Sequence, residues 1–480
     1  MPLVSPVGVR IAALSIHRAD LQSRLPFRYG IVTMTHVPHI FLRAEVETAL
    51  GETFGIAADH LSPKWFTKDP ARSLEDEIEE MLAVVRSACR LAHGREAKSA
   101  FAFWREVAAA QTEEAAKHNW PPLLAGFGVS LVERAVIEAV ARVAGRPFAR
   151  CLRDGTLGFA PGEIHAELAG LSASEALPPP IEDAVVARHT VGLADPLTED
   201  EIAPDARVGD GLPESLEAAI RVYGLIHYKI KIAGSSEADL ERLRRVVSVI
   251  GRNAPRDWAF SLDGNEGFRD VASFRSFCRA LDEADWWRAV RARLLFIEQP
   301  WHRDVALSDG IGALLRAWPE RPPLIIDESD AESSSLPRAL ALGYDGTSHK
   351  NCKGVFKGAA SACLLARQSP AARPRILSGE DLANIGPVAL LQDLAAQAAF
   401  GVSSVERNGH HYFRGLSFWP ESVQREMLAR HGDLYRKSEY GWPTLAVEGG
   451  KISVRSIVSA PFGRAGEFDL SGFERVSDWK

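Results

Sequence analysis

Leu225-Ile226-His227-Tyr228-Lys229-Ile230-Lys231 is a short, mostly apolar run that stops on charge, and four later runs do the same. Asp263 closes Trp258-Ala259-Phe260-Ser261-Leu262, Glu298 closes Leu294-Leu295-Phe296-Ile297, and Asp327 closes Leu324-Ile325-Ile326. Lys350 follows Thr347-Ser348-His349. Runs of this length and composition read as buried parallel strands. Charge is costly inside such a strand, so charge at its C-terminal tip points to chemistry.

Working outward, the chain after about residue 184 alternates strand and helix. Strands are expected near 185–193, 226–232, 258–263, 293–298, 322–327, 345–350, 375–380 and 400–406. Helices such as Glu237 to Ile250, Ala272 to Leu281 and Pro387 to Phe400 are expected between them. Eight such units predict a closed barrel of parallel strands with its site at the C-terminal strand ends. The first third differs. Val9 to Ile16 and His39 to Val46 read as antiparallel strands, and Pro70 to Arg90 and Ser130 to Ala144 as helices, giving a small α+β domain. The segments 171–183 and 195–213 are long for connections and read as lids or packing arms. The stretch Lys451-Ile452-Ser453-Val454, after Gly449-Gly450, is expected to pack on the first domain. The predicted boundaries are 1–157 for an N-terminal α+β cap, 158–440 for the barrel and 441–480 for a returning tail.

Composition narrows the partners. At 480 residues and 46% hydrophobic the chain can bury a large core. A net charge of −7 gives no broad basic surface, so nucleic acid and anionic membrane are not expected as partners. No long apolar stretch or basic-then-apolar start is present, and the five cysteines are scattered without a CxxC pair. The expectation is a soluble, cytoplasmic protein acting on a small molecule.

In a barrel, Asp263, Glu298 and Asp327 would converge from three successive strands. Three carboxylates gathered this way suit a hard divalent cation; Mg2+ is expected, with Mn2+ the alternative. One Asp at a strand end would serve equally as a cap for the next helix, but three in register are not explained that way. Lys229 and Lys231 share a strand face, and Lys350 lies across the carboxylates from them. A lysine beside a metal and another cation is expected to lose pKa and serve as a base near neutral pH. Lys231 and Lys350 are the expected acid/base pair, and Lys229 a supporting charge. The cation would polarise a substrate carboxylate so that its α-proton is lost to give an enediolate.

Together, Lys229-Ile230-Lys231, Asp263-Gly264-Asn265, Ile297-Glu298-Gln299-Pro300, Asp327-Glu328-Ser329 and Ser348-His349-Lys350-Asn351 resemble the enolase superfamily, in particular its muconate-lactonizing-enzyme-like subgroup. Gly145-Arg146-Pro147-Phe148 and Leu152-Arg153-Asp154-Gly155 are similar to the family's junction between cap and barrel. The resemblance implies a modified TIM (β/α) barrel with an N-terminal α+β capping domain, Mg2+ on Asp263, Glu298 and Asp327, and Asn265 supporting the site. It implies a homo-oligomer acting on a small-molecule carboxylate. Two departures stand out: Lys353-Gly354-Val355-Phe356-Lys357-Gly358 replaces a pair of glycines after the second lysine, and the seventh strand end reads Ser378-Gly379-Glu380-Asp381 with no histidine. Cap loops cover the mouth in this family, so Arg28, Tyr29, Thr33, His36, Lys64, Trp65 and Lys68 are candidates for substrate contact. Past the eighth strand Glu406, Asn408, His410 and His411 are candidates too, and Glu406 and Asn408 alternate on one face and suit an amino or amide group; the pair Glu380-Asp381 reads as a substrate contact or equally as a cap for the helix that follows. The expected activity is racemisation or epimerisation of amino-acid derivatives or dipeptides. Syn-dehydration, as in o-succinylbenzoate synthase, or cycloisomerisation is the alternative; a metal-free Schiff-base aldolase and a non-catalytic binding protein are further rivals.

Overall fold

A computed structural model describes residues 4–476. The first domain is an antiparallel sheet covered by helices. Strands β1 (Val9–Tyr29), β2 (Val32–Thr48) and β3 (Gly51–His60) form two successive hairpins, with β4 (Glu96–Ala97) on the edge of β1. Val9, Ile11, Leu14 and Ile16 turn inward, and a register shift between Ile11 and Ala13 moves the alternation by one place. The sequence predicts two short strands here. The observed hairpin is far longer because β1 runs through Leu25-Pro26-Phe27 to Tyr29 and turns only at Gly30, where φ is +49°.

Helix α1 (Leu74–Ala92) starts at Ser73, whose hydroxyl accepts from the Asp76 amide, and follows with Glu75, Asp76 and Glu77 in its first turn. Helix α2 (Ala100–His118) lies beside it. Helix α3 (Pro122–Val143) is buried on almost every face, as its apolar sequence requires, and starts eight residues before the expected Ser130, on a proline near its N-terminus. It crosses β3 so closely that a Cβ on Gly55 would stand 1.9 Å from the Ala135 carbonyl oxygen. Only glycine fits there.

Eight parallel strands follow: β5 (Ala184–Val191), β6 (His227–Lys231), β7 (Ala259–Asp263), β8 (Leu294–Glu298), β9 (Leu324–Ile326), β10 (Gly346–His349), β11 (Ile376–Gly379) and β12 (Ser404–Arg407). They pair in sequence order, and β12 closes on β5. Each expected barrel strand is present at its expected place. The register sets Lys231, Asp263 and Glu298 in one row across β6, β7 and β8.

Both long connections act as packing arms. Arg153 donates to the Leu177 carbonyl, and the Ile181 amide reaches Ala398, which fixes segment 171–183 against the barrel. Segment 195–213 is strapped to the cap by Arg24, buried and paired to both carboxylate oxygens of Asp210 at 2.7 Å. The tail divides: Lys451–Ser453 pairs with barrel strand β5 rather than the cap, correcting the expectation for that stretch, whereas Glu474–Arg475 pairs with β1. Its first part extends the barrel sheet because Ala184 to Val186 leave an open edge at the start of β5. No helix among the described residues is long and apolar enough to cross a membrane.

Candidate active site

Strand alternation aims Lys229 and Lys231 into the barrel mouth, and both are buried. Lys229 Nζ stands among four carboxylates, 3.1 Å from Asp263, 2.9 Å from Glu298, 2.8 Å from Glu380 and 3.0 Å from Glu406. Lys231 Nζ donates to Asp263 Oδ2 at 2.5 Å. Across the mouth, Lys350 Nζ reaches Asp327 Oδ2 and Glu380 Oε2, each at 2.7 Å, and lies 5.2 Å from the centre of the Trp65 ring. Lys353, one turn on, holds the other Asp327 oxygen at 2.7 Å.

Three carboxylate oxygens, one each from Glu298, Asp327 and Glu380, lie within 4.8 Å of one another, all in buried side chains. Glu298 and Asp327 belong to the expected set, and Glu380 stands with them. Asp263, the third expected carboxylate, lies beside this trio: its Oδ2 accepts from Lys231 and its Oδ1 accepts the Asn265 amide at 2.7 Å. Neither Glu298 oxygen accepts a hydrogen bond, because Lys229, though close, is poorly aligned. Burial and the neighbouring Glu380 charge hold the Glu298 carboxyl well above the usual range. A crowded, buried, all-oxygen cluster with an unsatisfied member fits a hard divalent cation.

The protein's own carboxylates set the charge on the three lysines. Burial works against the charge on Lys229, Lys231 and Lys350, but the carboxylates facing them outweigh it and raise all three pKa values. Burial likewise opposes the charge on Asp327, and Lys350 and Lys353 overcome it, holding this carboxyl well below its ordinary value.

The cavity above this cluster is lined by Lys229, Lys231, Asp327, Lys350, Asn265, Glu406 and Asn408, with Phe27, Tyr29, Met34 and Trp65 from the cap. Asn265 donates to Glu328 at 2.7 Å. Glu406 accepts from Thr190 at 2.5 Å, and the Asn408 side-chain oxygen is buried without a partner. Arg28 does not reach the cavity: it is exposed, because it alternates with the inward-facing Phe27 and Tyr29. Thr33 and His36 also face outward. Lys64 is spent inside the cap on Glu77, and Lys68 clamps cap to barrel through Glu266 and the Asn265 carbonyl, both at 2.7 Å. In sequence Glu380, with Asp381, reads as a substrate contact or a cap for the following helix and Lys353 has no site role; the structure sets both at the carboxylate cluster. Glu380 ends Ile376-Leu377-Ser378-Gly379 just as the other tips end theirs, which is the signal that would have found it.

Comparison with solved structures finds the same architecture. The chain is similar to an enolase from Bradyrhizobium complexed with magnesium and mandelic acid, at 14% identity over 93% of each chain and a TM-score of 0.55. It is similar to a dipeptide epimerase from Cytophaga hutchinsonii complexed with Mg and the dipeptide D-Ala-L-Val, at 15% identity over 97% of this chain and 99% of that one, TM-score 0.58. A third is the muconate lactonizing enzyme from Pseudomonas fluorescens complexed with muconolactone, at 19% identity over 82% and 84%, TM-score 0.53. No protein-family model matches the chain, and no curated protein sequence matches it. The likeness is one of fold: an eight-stranded parallel barrel with an N-terminal cap.

Proposed function

We propose that this chain, with the enolase-superfamily fold, is a divalent-cation-dependent enzyme that removes and returns the proton α to a substrate carboxylate, racemising or epimerising amino-acid derivatives or dipeptides. The observation that carries the reading is the placement of Lys231 and Lys350. They follow the second and sixth strands of an eight-stranded ring, so they face one cavity from opposite sides. A base on each side lets one lysine take the α-proton while the other delivers a proton to the opposite face; the C–H bond breaks and re-forms with inversion.

Glu298 and Asp327, with Asp263 and Glu380 beside them, would hold the cation, Mg2+ by donor chemistry and Mn2+ as a substitute. Once bound, the cation supplies the positive charge that polarises the substrate carboxylate and acidifies its α-carbon. Lys229 holds Asp263, Glu298, Glu380 and Glu406 together, and Trp65 fixes the Lys350 side chain from above.

The cavity wall supports this substrate class. Phe27, Tyr29, Met34 and Trp65 offer apolar surface, and the only cations among the described lining residues are the three lysines at the carboxylate cluster. A dicarboxylate would need another cation under the cap, which favours a monocarboxylate with an apolar side chain over muconate-like or succinyl substrates. Glu406 and the Asn408 oxygen suit an N–H donor on that substrate. The test is chiral chromatography after incubation with Mg2+ and a panel of N-acyl amino acids and dipeptides, in parallel with dicarboxylates. Inversion at one α-carbon, abolished by EDTA, is expected; turnover of dicarboxylates alone would refute this substrate assignment.

A further inference from the structure

Trp65, whose ring covers Lys350, lies in a stretch that neither a sheet ladder nor a helix holds. Residues 61–70 run from β3 toward α1 without regular structure, so side-chain ties decide where they sit. Two ties stay inside the cap: the Tyr29 hydroxyl donates to the Pro63 carbonyl at 3.0 Å, and the Lys64 amide donates to Glu77 at 2.7 Å. The ties to the barrel centre on Arg303 and Glu266. Arg303, in the short helical turn after β8, donates through Nη1 to the Phe66 carbonyl at 2.7 Å and through Nη2 to the Trp65 carbonyl at 2.9 Å. The same guanidinium grips Glu266, Nε to Oε1 and Nη2 to Oε2, each at 2.8 Å. Lys68 reaches Glu266 and the Asn265 carbonyl from the cap, both at 2.7 Å.

This latch is built, not incidental. Glu266 is buried, and it and Asn265 hold left-handed backbone, at φ +67° and +41°, just past Asp263. A glutamate keeps that conformation only where its surroundings over-determine it, and here a bidentate arginine and a lysine do so. The two lysines of the mouth differ in what the latch gives them. Lys231 donates to Asp263, and no aromatic ring among the described residues lies over its ammonium. Lys350 donates to Asp327 and Glu380, both members of the carboxylate cluster, and the Trp65 ring at 5.2 Å is its neighbour outside that cluster. The ring is packed edge-on against Phe66, centroids 4.7 Å apart, so the Trp65 and Phe66 carbonyls that Arg303 holds set the ring's place. We propose that Arg303 is a positioning residue for Lys350, acting through Glu266 and the Trp65 segment, and that it serves one face of the barrel mouth and not the other. The catalytic consequence rests on the two-lysine reaction proposed above; the placement of Trp65 does not.

The experiment has two arms. In the first, metal-free protein carries 5-fluorotryptophan, and Trp65→Phe assigns the Trp65 signal in the fluorine NMR spectrum. Lys350→Ala should shift that signal in wild type. Arg303→Met should shift or broaden it, and in the Arg303→Met background Lys350→Ala should move it little further, because the ring no longer sits over the ammonium. Arg303→Lys and Glu266→Gln are read in the same way, so an Arg303→Met variant that fails to fold does not end the test. The second arm follows α-proton exchange in D2O with Mg2+ on separate enantiomers. Arg303→Met should slow exchange roughly 10–100-fold for the enantiomer that Lys350→Ala loses, and less than about threefold for the other. An unchanged Trp65 signal in folded Arg303→Met, an undiminished Lys350→Ala shift in that background, or equal loss from both enantiomers would overturn the proposal. If wild type exchanges neither enantiomer, the two-lysine reaction fails instead, and the fluorine spectra decide by themselves whether Arg303 sets Trp65 over Lys350.

Discussion

The two ends of the barrel differ in how their buried charges are matched on the same eight strands. At the C-terminal end Asp263, Glu298, Asp327, Glu380 and Glu406 meet Lys229, Lys231, Lys350 and Lys353, and Glu298 is left with no aligned donor. At the N-terminal end Arg188 is matched within the chain: it is buried, and its guanidinium donates to the Ser404 carbonyl at 3.2 Å and to Ser378 Oγ at 2.6 Å and pairs with Glu380 at 3.2 Å. One end leaves a buried carboxylate without an aligned donor, and the other satisfies its charge internally. Burial makes an unmatched charge costly, so the top marks where the protein is complementary to something outside its own chain. That complement is a cation.

The largest effect that would break this comparison is on the lysines. Lys231→Ala or Lys350→Ala should each lower turnover by about 10²–10⁴-fold, the usual contribution of a positioned base, without loss of fold by circular dichroism. A loss below tenfold would remove that lysine from the chemistry. The carboxylates come next. Glu298→Gln keeps the shape but removes a crowded charge. Its metal-free melting temperature should therefore not fall, while Mg2+ affinity should drop by more than the roughly 10–100-fold typical of a supporting residue. Asp263→Asn and Glu380→Gln in the same titration would rank the two flanking carboxylates.

Acid should act at both ends. Burial depresses His349 near the mouth to about 3 and His227 at the base to about 4. For a histidine held neutral, the unfolded chain gains a proton first. Stability is therefore full above about pH 6.5, the unfolded value, and falls as pH drops toward the folded value. A fully buried histidine such as His349 contributes a loss of up to about 1.4 kcal/mol per pH unit in that window. Urea denaturation between pH 7 and 4 should show this decline, with a shallower slope in His349→Gln. The smallest effect belongs to Arg28→Ala: the side chain points away from the cavity, so kcat/KM should stay within about twofold.

The sequence makes the top of the barrel legible because each tip ends an apolar run with charge, and a strand has little other use for charge there. Glu380 carries the same mark, but Ser378 and Gly379 shorten its apolar run and blur it. The base is silent in sequence: Arg188 sits within Val185-Val186-Ala187-Arg188-His189, where a lone charge reads as an edge or surface residue, and only barrel closure puts it inside. The cap is half legible. Its helices follow from apolar spacing, but the bulge near Ile11 and the polar stretch from His17 to Arg24 break the alternation, so one long hairpin reads as two short strands. Arg24 and Asp210 are 186 positions apart, and nothing local announces that they meet.

The most direct test of the two-sided site is α-proton exchange in D2O with Mg2+, followed by mass spectrometry on separate enantiomers of a turned-over substrate. Wild type should label both enantiomers, while Lys231→Ala and Lys350→Ala should each lose exchange from one enantiomer only, and not the same one. If both variants lose exchange from the same enantiomer, or if wild type exchanges as fast in EDTA as in Mg2+, the account is contradicted.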